Sequence, residues 1–445
     1  MITVPRMAQV LRKVFETDAR ELARSMGVIQ RERKLTGATL LLLLVLGWLH
    51  QPKAGPSALA RFAGTVGVTI SKQGIEEHWT FTTAEWLYEV LLRAVQCLIS
   101  AKGVAIPLVQ RFAGVYIEDG SSIRLPDGLA RYWRGCRGGN AQDSGTKAAV
   151  KLTLRLELQQ GTLHGPLLQD GRSHESKSLL QGVPLLKGAL WIADLGYFAL
   201  VRLAQLSKAG VYFLMPLKDG VVTWLAGQRV DILEVLHAHA EQDEQEYEIL
   251  LGMAKQVKCR LFARRASDEQ VKRRHGHQDE YARKHGTTVT QRQRDWAQWT
   301  LVISNVPAPL LSLAEALVLL RVRWQIELVW KLWKMQGLLD EWQTQNVARM
   351  LCEVYAKLLG VLLQHWLMLL SCWDDPHRST IGVSEIVRDQ VVVLAHGFCR
   401  RLSLTQALRL VCEAIRQAAG RSIAGRSDRP STSRLLLAFA STGLT

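Results

Sequence analysis

The sequence predicts a multidomain α/β protein, with a core of strands and helices interrupted by a β-rich insertion and flanked by helical N-terminal and C-terminal regions. Three observations carry this. Apolar residues recur at helical spacing through residues 1–100; from residue 113 the pattern shifts to the two-residue alternation and short apolar runs of strands; and a charged stretch ending at Arg294 divides the strand-bearing part. At 445 residues the chain exceeds the usual single-domain size, and the expected parts are 1–105, 106–215, 216–298, 299–373 and 374–445.

In the first part, helical periodicity runs through 10–22 and 36–48 until Pro52, Gly55 and Pro56 break it. Residues 57–63 and 71–79, joined by a turn at 64–67, have the order of a helix-turn-helix, an arrangement that cores also use. Thr82 and Glu85 form a capping-box pattern for a helix over 84–99, and 103–107 reads as a linker. The second part opens with the apolar run Val115-Tyr116-Ile117, followed by alternation over 148–157 and a third strand over 162–168 after Gly161. A helix over 173–180, a buried strand over 189–193, a helix over 198–207 and a strand over 211–215 follow. Three antiparallel strands, then helix, strand, helix, strand, is the ribonuclease H-like order.

Residues 216–298 interrupt that order with strand-like pieces near Val221, 247–251 and 257–262. Between Lys255 and Arg294 the chain carries 12 Lys and Arg against 4 Asp and Glu, which suits either a solvated helix face or a surface that follows a DNA backbone. The strand 299–305 leads to a helix in which Leu317, Leu320, Trp324 and Leu328 recur at helical steps behind a Ser312/Glu315 capping box. Apolar helical pattern resumes over 347–373; helices over 383–394 and 404–418 follow, and the Ser-, Arg- and Gly-rich end over 420–433 is expected to fray.

Composition narrows the function. With 56 Lys and Arg against 40 Asp and Glu, a net charge of +16 and a pI near 9.7, the expected partner is a polyanion, nucleic acid before membrane surface. Seven scattered cysteines without a Cys-x-x-Cys pair point to a reducing compartment and away from a structural zinc site. The pairs His237/His239 and His275/His277 lack a matching Cys or carboxylate cluster. No secretory signal opens the chain; the apolar run 38–49 is too short to span a bilayer, and 355–373 is interrupted by Lys357, Gln364 and His365. The reading is therefore a cytoplasmic, nucleoid-associated protein without a membrane partner.

Three acids stand where a metal-dependent phosphoryl-transfer site would need hard oxygen ligands converging from separate elements. Asp119 follows the run 115–117, Asp194 ends the strand 189–193, and Glu327 lies on the helix, with Arg323, Lys331 and Lys334 on its face at offsets of minus four, plus four and plus seven. Alone, strand-end acids are commonly turn formers or caps, and a helical Arg/Glu/Lys stripe is commonly a salt-bridge ladder. Glu118, Asp127, Asp170 and Glu175 are read in that way.

The words around these acids add a resemblance. Arg323-Trp324-Gln325-Ile326-Glu327 and Lys331-Leu332-Trp333-Lys334 resemble the Tyr-x2-Arg-x3-Glu-x6-Lys signature of cut-and-paste DDE transposases of insertion sequence family four, with Leu320 in the place of the Tyr that contacts a DNA phosphate in the family. Asp119-Gly120-Ser121-Ser122-Ile123-Arg124-Leu125-Pro126 and Asp194-Leu195-Gly196-Tyr197-Phe198 are similar to its first and second Asp motifs, and 28–35 and the Gly74 region to its N-terminal DNA-binding region. An insertion between the second and third acids is also a feature of that group. The resemblance spans roughly 28–380.

It implies that Asp119, Asp194 and Glu327 are catalytic and hold two divalent ions, Mg²⁺ with Mn²⁺ as substitute, while Arg323, Lys331 and Lys334 grip phosphates. It also implies terminal inverted repeats and target DNA as substrates, cleavage followed by strand transfer, and a homodimer on paired ends. Some members stack an extruded base on a Trp placed as Trp299 is, with Trp296 as a substitute, although a strand Trp is more often core. Two alternatives stay open: a catalytically silent descendant that only binds DNA, and a stand-alone ribonuclease H-like nuclease.

Overall fold

The computed structural model describes residues 1–32, 35–136, 147–254, 256–418 and 435–438. The expected fraying end at 420–433 lies outside them, as do Arg33 and Lys34 of the 28–35 segment. Ten strands form one mixed sheet: β1 (Val115–Leu125), β2 (Ala148–Glu157), β3 (Leu163–Asp170), β4 (Leu190–Ala193), β5 (Tyr212–Pro216), β6 (Thr223–Leu225), β7 (Gln228–Val230), β8 (Glu244–Leu251), β9 (Val257–Arg265) and β10 (Trp299–Ser304). Their order is β3-β2-β1-β4-β5-β10-β9-β8-β6-β7. Strands β1, β4 and β5 run parallel, and every other neighbouring pair is antiparallel. The inserted strands thus lengthen the sheet beyond β10.

Local chemistry explains most elements and corrects several expectations. Strand β1 does not stop before Asp119: it pairs with β2 from Tyr116 to Leu125, and this long ladder overrides the turn signal of Asp119-Gly120. The expected helix over 173–180 is two short 3₁₀ turns, Glu175–Lys177 and Leu179–Gly182. His174 and Ser178 cap them by accepting from Ser176 N and Leu180 N, local bonds that compete with a continuous helix. The helix expected from 84 begins earlier, as Phe81–Val95, with Thr80 rather than Thr82 as its cap. After Pro56–Ala63 and a left-handed Gly67, the next helix is only Lys72–Glu76, far shorter than 71–79. Gln390 divides the expected 383–394 helix into Thr380–Asp389 and Val391–Phe398. The Ser312/Glu315 box and the helix Leu404–Ala418 stand where the sequence puts them.

The helix Val347–Ser371 organises the larger core. By length and hydropathy it would cross a membrane, yet 94% of its most apolar window is buried inside the protein. The helices Gly37–His50 and Phe81–Val95 pack on it, and one apolar cluster continues from them into Ile117, Leu154 and Leu190 of the sheet. Burial favours partnered polar groups, and several on this helix find them, although Arg349 Nε and Glu353 Oε2 have none among the described residues. Gln364 donates to Ser384 Oγ at 3.1 Å and His365 Nε2 to the Gly161 carbonyl at 2.8 Å. A second core of Trp191, Tyr197, Phe213, Leu261 and Trp299 joins β4 and β5 to the inserted strands.

Candidate active site

Sheet register brings the first two acids together. Strands β1 and β4 run parallel with Glu118 opposite Ala193, so the next residues along are Asp119, still within β1, and Asp194, just past the end of β4. Asp194 follows the carboxyl end of β4, the kind of place where open α/β sheets bind ligands, while β1 continues past Asp119 to Leu125. Behind them Glu118 is fully buried and takes Nε and Nη2 of Arg155 at 3.0 and 2.8 Å and Trp191 Nε1 at 3.3 Å. Arg155 also donates to the carbonyls of Leu180 and Val183 at 2.5 and 3.0 Å, tying β2 to the loop before β4. That pair holds the strand on which Asp119 sits.

The third acid arrives on an interrupted helix. The expected continuous helix is two, Leu313–Val322 and Trp324–Met335, meeting at Arg323. Three-residue bonds from Arg323 N to Leu320 O and from Ile326 N to Arg323 O, each 3.2 Å, tighten the join. There Arg323 Nη1 lies 2.5 Å from Glu327 Oε1 and 3.9 Å from Asp194 Oδ2. Lys334 Nζ donates to the Ser122 carbonyl at 3.3 Å, holding the helix over β1, while Lys331 is exposed. Leu320, in the Tyr position, is partly buried against the larger core.

Electrostatics mark the same place. Burial pushes the Asp119 carboxyl up to about 6, against the pull of the Gly120 N–H and the Arg323 guanidinium, with Glu175 and Glu327 adding to the rise. Asp194 spends Oδ1 on the Leu195 N–H at 2.7 Å and keeps Oδ2 toward Arg323. Among the described residues no three His, Cys, Asp or Glu side chains converge as a ready metal cluster. The donor set still fits a hard divalent cation, since carboxylates from separate elements share one guanidinium as their positive charge.

Three residues stand differently from their reading in the sequence, the first being Glu118, buried inside β1 against Arg155 rather than at a strand end or cap. Glu175 does begin a 3₁₀ turn, but its carboxylate reaches the acid site and pairs with Lys151 at 3.6 Å. No periodic signal could have shown this, because the turn that carries it is irregular. Trp299 is 4% exposed within the second core, with Arg265 over its ring at 5.8 Å and its carbonyl taken by Arg274 at 2.8 Å. The large exposed aromatic beside the site is Trp324, 56% exposed next to Arg323. In the insertion, the +8 stretch includes the helix Asp268–His285, which buries only Ala282 and exposes Lys272, Arg273, Arg283 and Lys284.

Comparison with known proteins identifies the family. The family described as "Transposase DDE domain" matches residues 110–363, from just before β1 to within the Val347–Ser371 helix. The chain is 24% identical over 368 residues to the transposase for insertion sequence element IS231B of Bacillus thuringiensis subsp. berliner, covering 77% of this chain and 75% of that one. It is 25% identical over 370 residues to the IS231C transposase of the same organism, with the same coverage. The transposase for IS1151 of Clostridium perfringens is 22% identical over 392 residues, 82% of this chain and 81% of its own. The matched region contains both strand acids and the Glu327 helix, and the chain belongs to the DDE transposase family as the transposase of an insertion sequence, an enzyme that acts on DNA.

Proposed function

We propose that this transposase binds the terminal inverted repeats of its own element, cuts the strands at a site formed by Asp119, Asp194 and Glu327, and joins the freed 3′ ends to target DNA. The observation that carries the reading is that Asp119 and Asp194 each follow the last paired residues of the parallel β1–β4 ladder, Glu118 and Ala193, with Glu327 linked to Asp194 through Arg323. Two divalent ions, Mg²⁺ or Mn²⁺, would supply activation of the attacking oxygen and charge stabilisation of the leaving one. Asp119 and Asp194 would ligate these ions, and Glu327 would complete one ligand set. Arg323 leaves the acids and takes a phosphate through its planar fork; Lys331 and Lys334 add compact charges along the same helix face.

In this reading the core 106–215 with 299–373 is ribonuclease H-like, 216–298 is an insertion that lends its basic helix to the DNA backbone, 1–105 binds the ends, and 374–445 is a helical extension. Two chains act on paired ends in the nucleoid. The ring that meets an extruded base is Trp324, whose exposure leaves a face open, rather than the buried Trp299.

The test is cleavage and strand transfer on labelled DNA carrying the element's ends, with Mg²⁺ or Mn²⁺, comparing the native chain with Glu327→Gln. Metal-dependent nicked and joined products that vanish in the variant support the assignment. End-specific binding without cleavage by the native chain replaces it with the silent DNA-binding descendant. Cleavage without joining replaces it with the nuclease.

A further inference from the structure

A fourth carboxylate stands at the acid site. Glu175 enters from the 3₁₀ turn after β3, an element separate from those carrying Asp119, Asp194 and Glu327. Its seat is made by Gly196 of the second Asp motif, with Gly120 of the first nearby. A Cβ on Gly196 would collide with the Glu175 carboxylate, and a Cβ on Gly120 would come within 3.7 Å of Glu175 Oε1. Neither glycine has a positive φ, so backbone conformation does not require a glycine at either position. Space for the carboxylate does so at Gly196.

Tyr197 supplies an independent sign. Its side chain is fully buried, yet its hydroxyl has no hydrogen-bond partner among the described residues. The hydroxyl lies 3.6 Å from the same point above Gly120 that Glu175 Oε1 approaches. A buried hydroxyl is ordinarily satisfied, so this one marks a place where a polar group belongs. Lys151, at 3.6 Å, is an ion-pair partner of Glu175 beyond hydrogen-bond length, which leaves the carboxylate lone pairs available.

We propose that Glu175 is a fourth carboxylate of the divalent-ion site, an acceptor for the water that a hard cation retains. Mg²⁺ keeps several waters, and those waters need fixed acceptors to be oriented. Glu175 and the Tyr197 hydroxyl are placed to provide them, while Lys151 balances the charge until the ion arrives. Glu175 is thus a positioning residue, and its role rests on the metal-dependent reading above.

The experiment is Mn²⁺ binding by electron paramagnetic resonance to the full chain in complex with DNA carrying its element's ends, for the native protein, Asp194→Asn, Glu175→Gln, Gly196→Ala and the double variant. Glu175→Gln should weaken Mn²⁺ by about 10-fold. Gly196→Ala should do the same by displacing the same carboxylate, and the double variant should be no weaker than either single change, since all three remove one group. Gly196→Ala keeps the proposal testable if Glu175→Gln does not fold. Loss of binding in Asp194→Asn alone, with both Glu175→Gln and Gly196→Ala binding as the native chain does, overturns Glu175's role and leaves the metal site standing. Native binding indifferent to Asp194→Asn overturns both.

Discussion

Two acid–base pairs with the same four-residue spacing lie on successive helices of this transposase, and they sit in opposite surroundings. Glu353 and Lys357 are each 3% exposed and 2.9 Å apart, and Lys357 also donates to the Leu338 and Glu341 carbonyls at 2.8 Å. Burial pushes the Glu353 carboxyl up and the Lys357 ammonium down, the signature of charges that water has left. Arg323 and Glu327 are 18% and 30% exposed where two helix segments meet, and the guanidinium is shared with Asp194. The first pair clamps the segment after the Glu327 helix onto the core; the second stays within reach of solvent and ligand. Equal spacing therefore says nothing about role, and burial does.

The largest expected effect separates chemistry from folding. Glu327→Gln should lower strand cleavage by about 10³-fold, equivalent to about 4 kcal/mol, with the denaturation midpoint within experimental error of the native one. A variant that is inactive because it is unfolded would break the comparison. Next in size is the buried pair. Lys357→Met leaves Glu353 charged and unpartnered in the core and should cost about 3–5 kcal/mol in urea unfolding, whereas Arg323→Ala should cost less than about 1 kcal/mol. Equal losses would mean that the Arg323 pair is structural too.

A third test uses the same long helix. Burial lowers the His365 imidazolium to about 4, against the pull of the Gly161 carbonyl, so the folded form carries a neutral ring. Because the folded value lies below the ordinary one of 6.5, its stability is present above pH 6.5 and is lost as pH falls toward 4. His365→Gln, which keeps a donor for Gly161, should flatten that slope by up to about 3 kcal/mol, measured by unfolding at pH 7 and pH 4. An unchanged slope would place the acid sensitivity elsewhere.

The smallest effect sharpens the contrast between two tryptophans. Trp324→Ala should leave stability within about 1 kcal/mol and weaken stacking on an extruded 2-aminopurine by about 1–3 kcal/mol. Trp299→Ala should cost about 3–5 kcal/mol of stability. Fluorescence quenching that disappears only with Trp299 would return the stacking role to it.

Strands β2 and β10, the Ser312 cap and the Leu404–Ala418 helix were legible because alternation, periodicity and capping are local. The Glu175 turns were misread as a helix because side-chain caps at His174 and Ser178 compete with it at a spacing that periodicity does not register. Asp119 was read as following a strand because Asp-Gly is a turn word, and only the full pairing with β2 keeps it inside one.

By itself the sequence determined the order of elements, the three acid motifs and the basic helix face, since each depends on neighbours a few residues away. Tertiary structure decided what those residues meet. The β1–β4 register set Asp119 beside Asp194, the approach of Arg323 to Asp194 turned a helix stripe into a bridge between acids, and packing sealed Lys357 while leaving Trp324 open. Those outcomes rest on contacts between residues far apart in the chain, where spacing along the sequence holds no information about distance or exposure to water.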